Sequence, residues 1–139
     1  MQLSIPQRET NGRRLFYGIE TSEAWLIEYT KTHRKSHGLS VSMSVILNLS
    51  EALQLLQRHS GVHTLRIKTV LPENSPIPPA RKDAQQSLPR LKCGKPIISL
   101  CSSDSRSFQK RPSQVQVDTL KQIMGGKEPK WWVDDADRN

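Results

Sequence analysis

The fold of this 139-residue chain is decided by residues 40–61, which read SVSMSVILNLSEALQLLQRHSG. Serines alternate with apolar side chains from Val41 to Leu47, and a period of two is typical of a half-buried strand. From Ser50 to His59 the leucines instead recur at the spacing of an amphipathic helix. Ser50 is a favourable N-cap, and Gly61 is a favourable stop. The stretch therefore predicts a strand followed by a helix.

Further strands are predicted on both sides of this stretch. Leu15–Ile19 and Leu65–Val70 show the same alternation of apolar and polar side chains. Trp25–Tyr29 also fits a strand, which is the preferred interpretation, although Ser22 could instead cap a helix over Glu23–Lys31. The resulting order is three strands, a helix and a strand. We therefore predict an α+β fold, with a small, mostly antiparallel sheet and one packed helix.

Proline and charge divide the chain into four parts. Seven of the nine prolines lie between Pro72 and Pro112, where eight basic residues against three acidic ones carry five of the net eight positive charges. A segment of this composition cannot supply a core alone and is typical of an extended connector. We expect an N-terminal arm (1–13), an α+β core module (14–71), a Pro-rich basic connector (72–112) and a C-terminal helix with a Trp/acidic tail (113–139).

Local signals in the second half of the chain predict two more elements. Pro96–Cys101 predicts a short strand inside the connector. Ser113 and Gln116 match the capping box, in which the two side chains satisfy each other's backbone N–H groups. The helix that begins there should end at Gly125 and Gly126.

The basic residues predict contact with a phosphate backbone. Each Lys or Arg that neutralises a phosphate releases a condensed counterion, so such binding is strong at low salt and independent of sequence. Phe108 is the one aromatic residue of the connector, which argues against a platform for stacked bases. A solvated linker is the competing interpretation. The candidate nucleic-acid-binding residues are Arg66, Lys68, Arg81, Lys82, Arg90, Lys92, Lys95, Arg106, Lys110 and Arg111.

Two segments could instead dock a protein partner. Pro76, Pro79 and Arg81 spell P-x-x-P-x-R, and a polyproline II helix with a flanking Arg is a ligand of SH3 domains. Prolines that merely stiffen a linker would explain the same pattern. Trp131 and Trp132 offer a large apolar area beside terminal carboxylates. They either anchor a partner or pack back onto the sheet and close the core.

The sequence contains no recognisable catalytic, metal-binding or cofactor-binding constellation. We find no nucleophile with a base, no paired carboxylates and no glycine-rich phosphate loop. Cys93 and Cys101 are expected to be free thiols. The histidines form two pairs at metal-ligand spacing, but a glycine beside each pair interrupts the helix that such a site needs: His33 with His37, and His59 with His63.

These patterns lead to a functional prediction with one alternative. The preferred function is that of a non-enzymatic accessory or regulatory protein, which binds DNA or RNA through its basic connector. The alternative is a protein–protein adaptor or viral regulatory protein that docks through the Pro-rich segment and the Trp tail. No run approaches the roughly 18 apolar residues of a membrane span, so we expect a soluble intracellular protein of the cytoplasm or nucleus. The serine-faced strand Val41–Val45 leaves an edge that a second copy could pair with.

Overall fold

The computed structural model describes residues 3–7, 12–72 and 94–135. The elements in this part of the chain are, in order, β1 (Leu15–Glu20), α1 (Glu23–Ser36), α2 (Val45–Ser60), β2 (Arg66–Val70), β3 (Lys95–Ser102), α3 (Ser105–Gln109), α4 (Gln114–Ile123) and β4 (Lys130–Val133).

The four strands form one antiparallel sheet in the order β2-β3-β1-β4. β3 and β1 are the central strands, and their register shifts between Tyr17 and Gly18. A side chain at Gly18 would collide with the carbonyl oxygen of Ile98 on β3, so this close approach of two backbones requires glycine. The prediction of an α+β fold with a small antiparallel sheet is confirmed.

One face of the sheet is covered by helices. Ile19, Ile98 and Leu100 of the central strands pack in one cluster with apolar residues of α1, α2 and α4. The buried helical members of this cluster are Leu26, Ala52, Leu56, Val117 and Leu120. Because successive strand residues point to opposite faces, the neighbouring positions face the other side. There a second and smaller cluster forms from Phe16, Val70, Ile97 and Trp132.

The predicted strand over Val41–Leu47 is wrong. Residues 41–44 form a loop, and α2 begins at Val45, well before the predicted start at Ser50. Ser44 caps the helix, since its side chain accepts a hydrogen bond from the backbone N–H of Leu47 at 3.2 Å. No neighbouring strand is available to this segment in the described sheet, and alternation alone does not hold a strand.

The preferred strand over Trp25–Tyr29 is also wrong, and the alternative helix is confirmed. Ser22 caps α1 by accepting from the backbone N–H of Trp25 at 3.0 Å. The two aromatic rings stack one helical turn apart, with centroids 5.1 Å apart. Leu26 and Thr30 are the buried residues of α1, which is a spacing of one turn. The order is thus strand, helix, helix, strand where three strands, a helix and a strand were predicted.

The local signals later in the chain are confirmed. Gly61 ends α2 in the left-handed conformation with φ 78°. The strand predicted over Pro96–Cys101 is the core of β3, and the capping box of Ser113 and Gln116 starts α4. β3 and β4 lie in the same sheet as β1 and β2, so segments from both halves of the chain build one sheet. No helix in the described ranges has the length and apolar character needed to cross a membrane.

Candidate nucleic-acid interface

The sheet face opposite α1, α2 and α4 carries basic side chains. On β2, Arg66 and Lys68 are exposed and alternate with the inward-facing Ile67. They point to the same face as Phe16 of β1, because the Lys68 ammonium lies 5.5 Å from the centre of that ring. The alternation of β2 therefore sends charge to one side of the sheet and an apolar side chain to the other.

A groove of about 370 Å³ lies on this face, beside the ends of β2 and β3. Five basic residues come together along it although they lie far apart in sequence. Among the described residues that line the groove, Asp104 is the single acidic one. Hydroxyl groups complete the polar part of the wall. The basic lining residues are Arg14, Arg66, Lys68, Arg106 and Lys110, and the hydroxyl-bearing ones are Thr64, Ser99, Ser102 and Ser107.

The short helix α3 is fixed against the sheet by serine side chains. The hydroxyl oxygen of Ser107 accepts from the backbone N–H of Ser102 at 2.9 Å. The hydroxyl oxygen of Ser103 accepts from the backbone N–H of Leu15 at 3.0 Å, which ties the start of the turn to β1. These bonds hold α3 at the groove. The helix supplies Arg106, and Lys110 comes directly after its last residue.

The cations of the groove are lightly engaged by the protein itself. Arg14 approaches Asp104 at 3.9 Å, and both side chains are about a third or more exposed, so this pair contributes little. Arg66 donates to the carbonyl oxygen of its neighbour Leu65 at 2.8 Å. Lys68, Arg106 and Lys110 form no ion pair within the described ranges. The groove therefore presents a surplus of positive charge to solvent.

Two predicted residues, Lys95 and Arg111, lie outside the groove. Lys95 is on the same sheet face, but it pairs with Glu20, and this hydrogen bond lowers the pKa of the Glu20 carboxyl. Its ammonium also lies 5.4 Å from the centre of the Trp132 ring. The Arg111 guanidinium stacks 4.4 Å from the centre of the Phe108 ring. Arg81, Lys82, Arg90 and Lys92 lie outside the described residues.

The aromatic rings of this face are not available for base stacking. Phe16 is 4% exposed and Trp132 is 3% exposed. The indole N–H of Trp132 donates to the carbonyl oxygen of Gly18 across the sheet at 3.0 Å. The face thus offers cations and hydroxyl groups, which suit phosphate oxygens, rather than open rings for bases.

The residues predicted to dock a partner are placed differently from one another. Trp132 is buried in β4, whereas Trp131 is half-buried. The centre of the Trp131 ring lies 5.2 Å from the ring centre of Tyr17 and 6.1 Å from that of Phe108. The placement of the tryptophans agrees with the interpretation in which they pack onto the sheet. Pro76, Pro79 and Arg81 lie outside the described residues.

The thiol and imidazole side chains in the described part of the chain are either buried or grouped in too small a number for a metal site. Burial raises the pKa of the Cys101 thiol to about 11, so it stays protonated at neutral pH. Cys93 lies outside the described residues. The centre of the His33 ring lies 4.3 Å from the ring centre of His37 and 5.6 Å from that of His59. Nevertheless, the described ranges contain no group of three or more His, Cys, Asp or Glu arranged to hold a metal ion.

Arg14 and Thr64 are groove residues that the sequence interpretation missed. For Arg14 a signal existed, since the period of two that places Phe16 on this face extends to it. Thr64 lies in a turn before β2, and its position follows from the tertiary structure alone. Comparison with protein-family models, with curated proteins and with solved structures found no match.

Proposed function

We propose that this protein binds nucleic acid without sequence preference through the basic groove on the sheet face opposite α1, α2 and α4. The observation that carries the proposal is the convergence of five basic side chains on one groove lined by a single described carboxylate. Three of them, Lys68, Arg106 and Lys110, form no ion pair among the described residues. Phosphate groups would supply the missing negative charge.

The chemistry of the groove favours the backbone of a nucleic acid over its bases. Lys and Arg side chains and serine hydroxyls contact phosphate and sugar oxygens, and such contacts carry no sequence information. The buried state of Phe16 and Trp132 removes the rings that a single-strand platform would need. The binding should therefore be electrostatic and steeply dependent on salt.

The test measures affinity for a labelled duplex and a labelled single strand by fluorescence anisotropy over a series of salt concentrations. If all five cations contact phosphates, log K should fall with log salt with a slope of about −4 to −5 on duplex DNA. The variant Arg66→Gln/Lys68→Gln/Lys110→Gln should reduce the size of this slope by about 3, because each lost contact removes about one counterion.

A matched control removes the same charge from the helical side of the molecule. The variant Lys31→Gln/Lys35→Gln/Arg58→Gln changes residues of α1 and α2 and should leave the slope nearly unchanged. Equal loss of slope in the two triple variants would mean that overall charge, and not the groove, attracts nucleic acid. A groove variant with an unaltered slope would overturn the proposal.

The connector residues need a separate variant, because the sequence predicts that they bind as well. Neutralising Arg81, Lys82, Arg90 and Lys92 together measures their share of the same salt slope. If the groove and the connector bind one continuous phosphate backbone, the two variants should each reduce the slope of log K against log salt. The two reductions should then add when the variants are combined. Loss of all binding in the connector variant alone would place the interface in the connector.

A further inference from the structure

A cluster of large apolar side chains is exposed between α1 and the first turn of α2. Met43 is 91% exposed, Ile46 is 77% exposed and Leu47 is 62% exposed. Leu39 and Val45 beside them are about half exposed. We call these five residues the aliphatic patch. Single exposed apolar residues are ordinary, but several within residues 39–47 are typical of an interaction surface.

The residues beneath the aliphatic patch are polar and buried, which inverts the usual arrangement. Thr30 is fully buried and Asn48 is 3% exposed. The Thr30 hydroxyl donates to the carbonyl oxygen of Asn48 at 2.8 Å, and the Asn48 side-chain amide donates to the carbonyl oxygen of Ser42 at 2.9 Å. The buried polar groups hold the backbone and leave the apolar side chains outside.

An ion pair fixes the loop from the other side. The Arg34 guanidinium donates to both carboxylate oxygens of Glu51, at 2.9 and 2.7 Å, and to the carbonyl oxygen of Ser40 at 2.8 Å. The hydrogen bond from Arg34 lowers the pKa of the Glu51 carboxyl, so the pair stays charged at neutral pH. A loop held by this many bonds is ordered before any partner arrives, which lowers the entropy cost of binding.

The surroundings of the aliphatic patch are positive. The first turn of α2 has no acidic residue, so the positive end of the helix dipole is not neutralised there. The carboxylate of Glu51 is engaged by Arg34. Lys35 lies in the last turn of α1, where its carbonyl oxygen accepts from the backbone N–H of Gly38, the residue before Leu39. Lys35 forms no ion pair in the described part of the chain.

We propose that the aliphatic patch is a docking site for an amphipathic helical segment of another protein, with aliphatic side chains on one face and carboxylates beside them. The aliphatic face would cover Met43, Ile46 and Leu47, and the carboxylates would meet the end of α2 and Lys35. Charge complementarity selects this occupant. In a symmetric pair of copies the same positive rims would face one another. The patch also lacks the Trp and Tyr side chains that anchor proteins at bilayer interfaces.

The experiment selects ligands from a displayed library of helical peptides and then uses the enriched peptides in solution. Enriched peptides should carry aliphatic residues at helical spacing with Asp or Glu next to them. Their affinity should fall about tenfold or more on Met43→Ser/Ile46→Ser, because two apolar anchors are lost. Since both side chains are exposed, this variant should keep its thermal stability.

The matched control is Val115→Ser on α4, an apolar side chain that is 75% exposed outside the aliphatic patch. Peptide affinity should be unchanged in this variant. The proposal is overturned if no peptide is enriched, if enriched peptides bind Met43→Ser/Ile46→Ser as tightly as the parent, or if they are basic. It is also overturned if the patch instead drives self-association in sedimentation, or binds anionic phosphatidylserine vesicles while no peptide binds.

Discussion

The two faces of the sheet are built from the same strands but carry different side chains. On the covered face, Ile19, Ile98 and Leu100 meet three helices and form the main core. On the opposite face, a small buried cluster forms around Phe16 and Trp132, with the ammonium groups of Lys68 and Lys95 near the two rings. Because strand residues alternate, one pattern supplies both layers. We therefore expect that mutations on one face change the stability of the fold, and that mutations on the other change its surface charge.

The largest expected effect is on the covered face. Leu56 of α2 is fully buried in the main core, so Leu56→Ala should lower the free energy of unfolding by about 2–5 kcal/mol. Urea denaturation of the purified protein measures this loss. Gln54→Ala on the exposed side of the same helix is the control and should stay within about 0.5 kcal/mol of the parent. A loss below about 1 kcal/mol at Leu56 would contradict the assignment of the main core to this face.

The two tryptophans of β4 test how far each side of the sheet contributes to stability, because Trp132 packs with Phe16 and Trp131 lies against Tyr17 on the other side. Trp132→Phe removes the indole N–H that donates to the buried carbonyl oxygen of Gly18 and should cost about 1–3 kcal/mol. Trp131→Phe should cost less, because the buried indole N–H of Trp131 has no hydrogen-bond partner among the residues that the structure describes. Equal costs in thermal or urea unfolding would show that ring volume, and not the hydrogen bond, decides the contribution of each tryptophan.

Elements that depend on neighbouring residues were predictable from the sequence. The capping box of Ser113 and Gln116 and the stop at Gly61 are local, since each is made within one helical turn. The alternation around Val41–Leu47 was not decisive, because a strand also needs a partner strand. Ser44 offered the competing local signal, and its cap on α2 prevailed. The serines of this segment thus favour a loop and a cap as readily as a strand face.

The groove could be predicted only in part. Arg66 and Lys68 were identified because alternation along one strand places them on an exposed face. Their meeting with Arg14, Arg106 and Lys110 depends on the register of β3 with its two neighbours, which no local pattern encodes. The aliphatic patch could not be predicted, since Val41–Leu47 was interpreted as a half-buried strand. Prediction from the sequence therefore failed for the groove and for the aliphatic patch for the same reason, since both depend on which strands pair.

A smaller effect is expected from pH, on the helical side alone. Partial desolvation, followed by the nearby His37 and His59, lowers the pKa of His33 from its ordinary value of 6.5. The unfolded chain then binds more protons than the native one just below this value. The contribution of neutral His33 to the free energy of unfolding should be fully present above pH 6.5. It should be lost as the pH falls from 6.5 through the native pKa of His33. Urea titrations from about pH 7.5 to pH 5 measure the decline, above the range of most carboxyl groups.

The control for this prediction is His33→Gln, which removes the titrating group and keeps a polar side chain of similar length. The decline in stability with falling pH should be shallower in this variant. Groove variants should keep the parental pH dependence, because the histidines are carried by or adjoin α1 and α2. An unchanged slope in His33→Gln would assign the decline to another group.

The smallest expected effect on stability is the one that separates the two faces most sharply. Arg66→Gln/Lys68→Gln/Lys110→Gln should change the free energy of unfolding by no more than about 0.5 kcal/mol, because these side chains are exposed and form no ion pair with any described residue. Any change should be a slight increase, because the variant relieves repulsion in a chain of net charge +8. The same variant is expected to lose much of its salt-dependent affinity for nucleic acid. If it instead unfolds more easily by over about 1 kcal/mol, the basic layer supports the fold, and its loss of binding could not be read as loss of phosphate contacts.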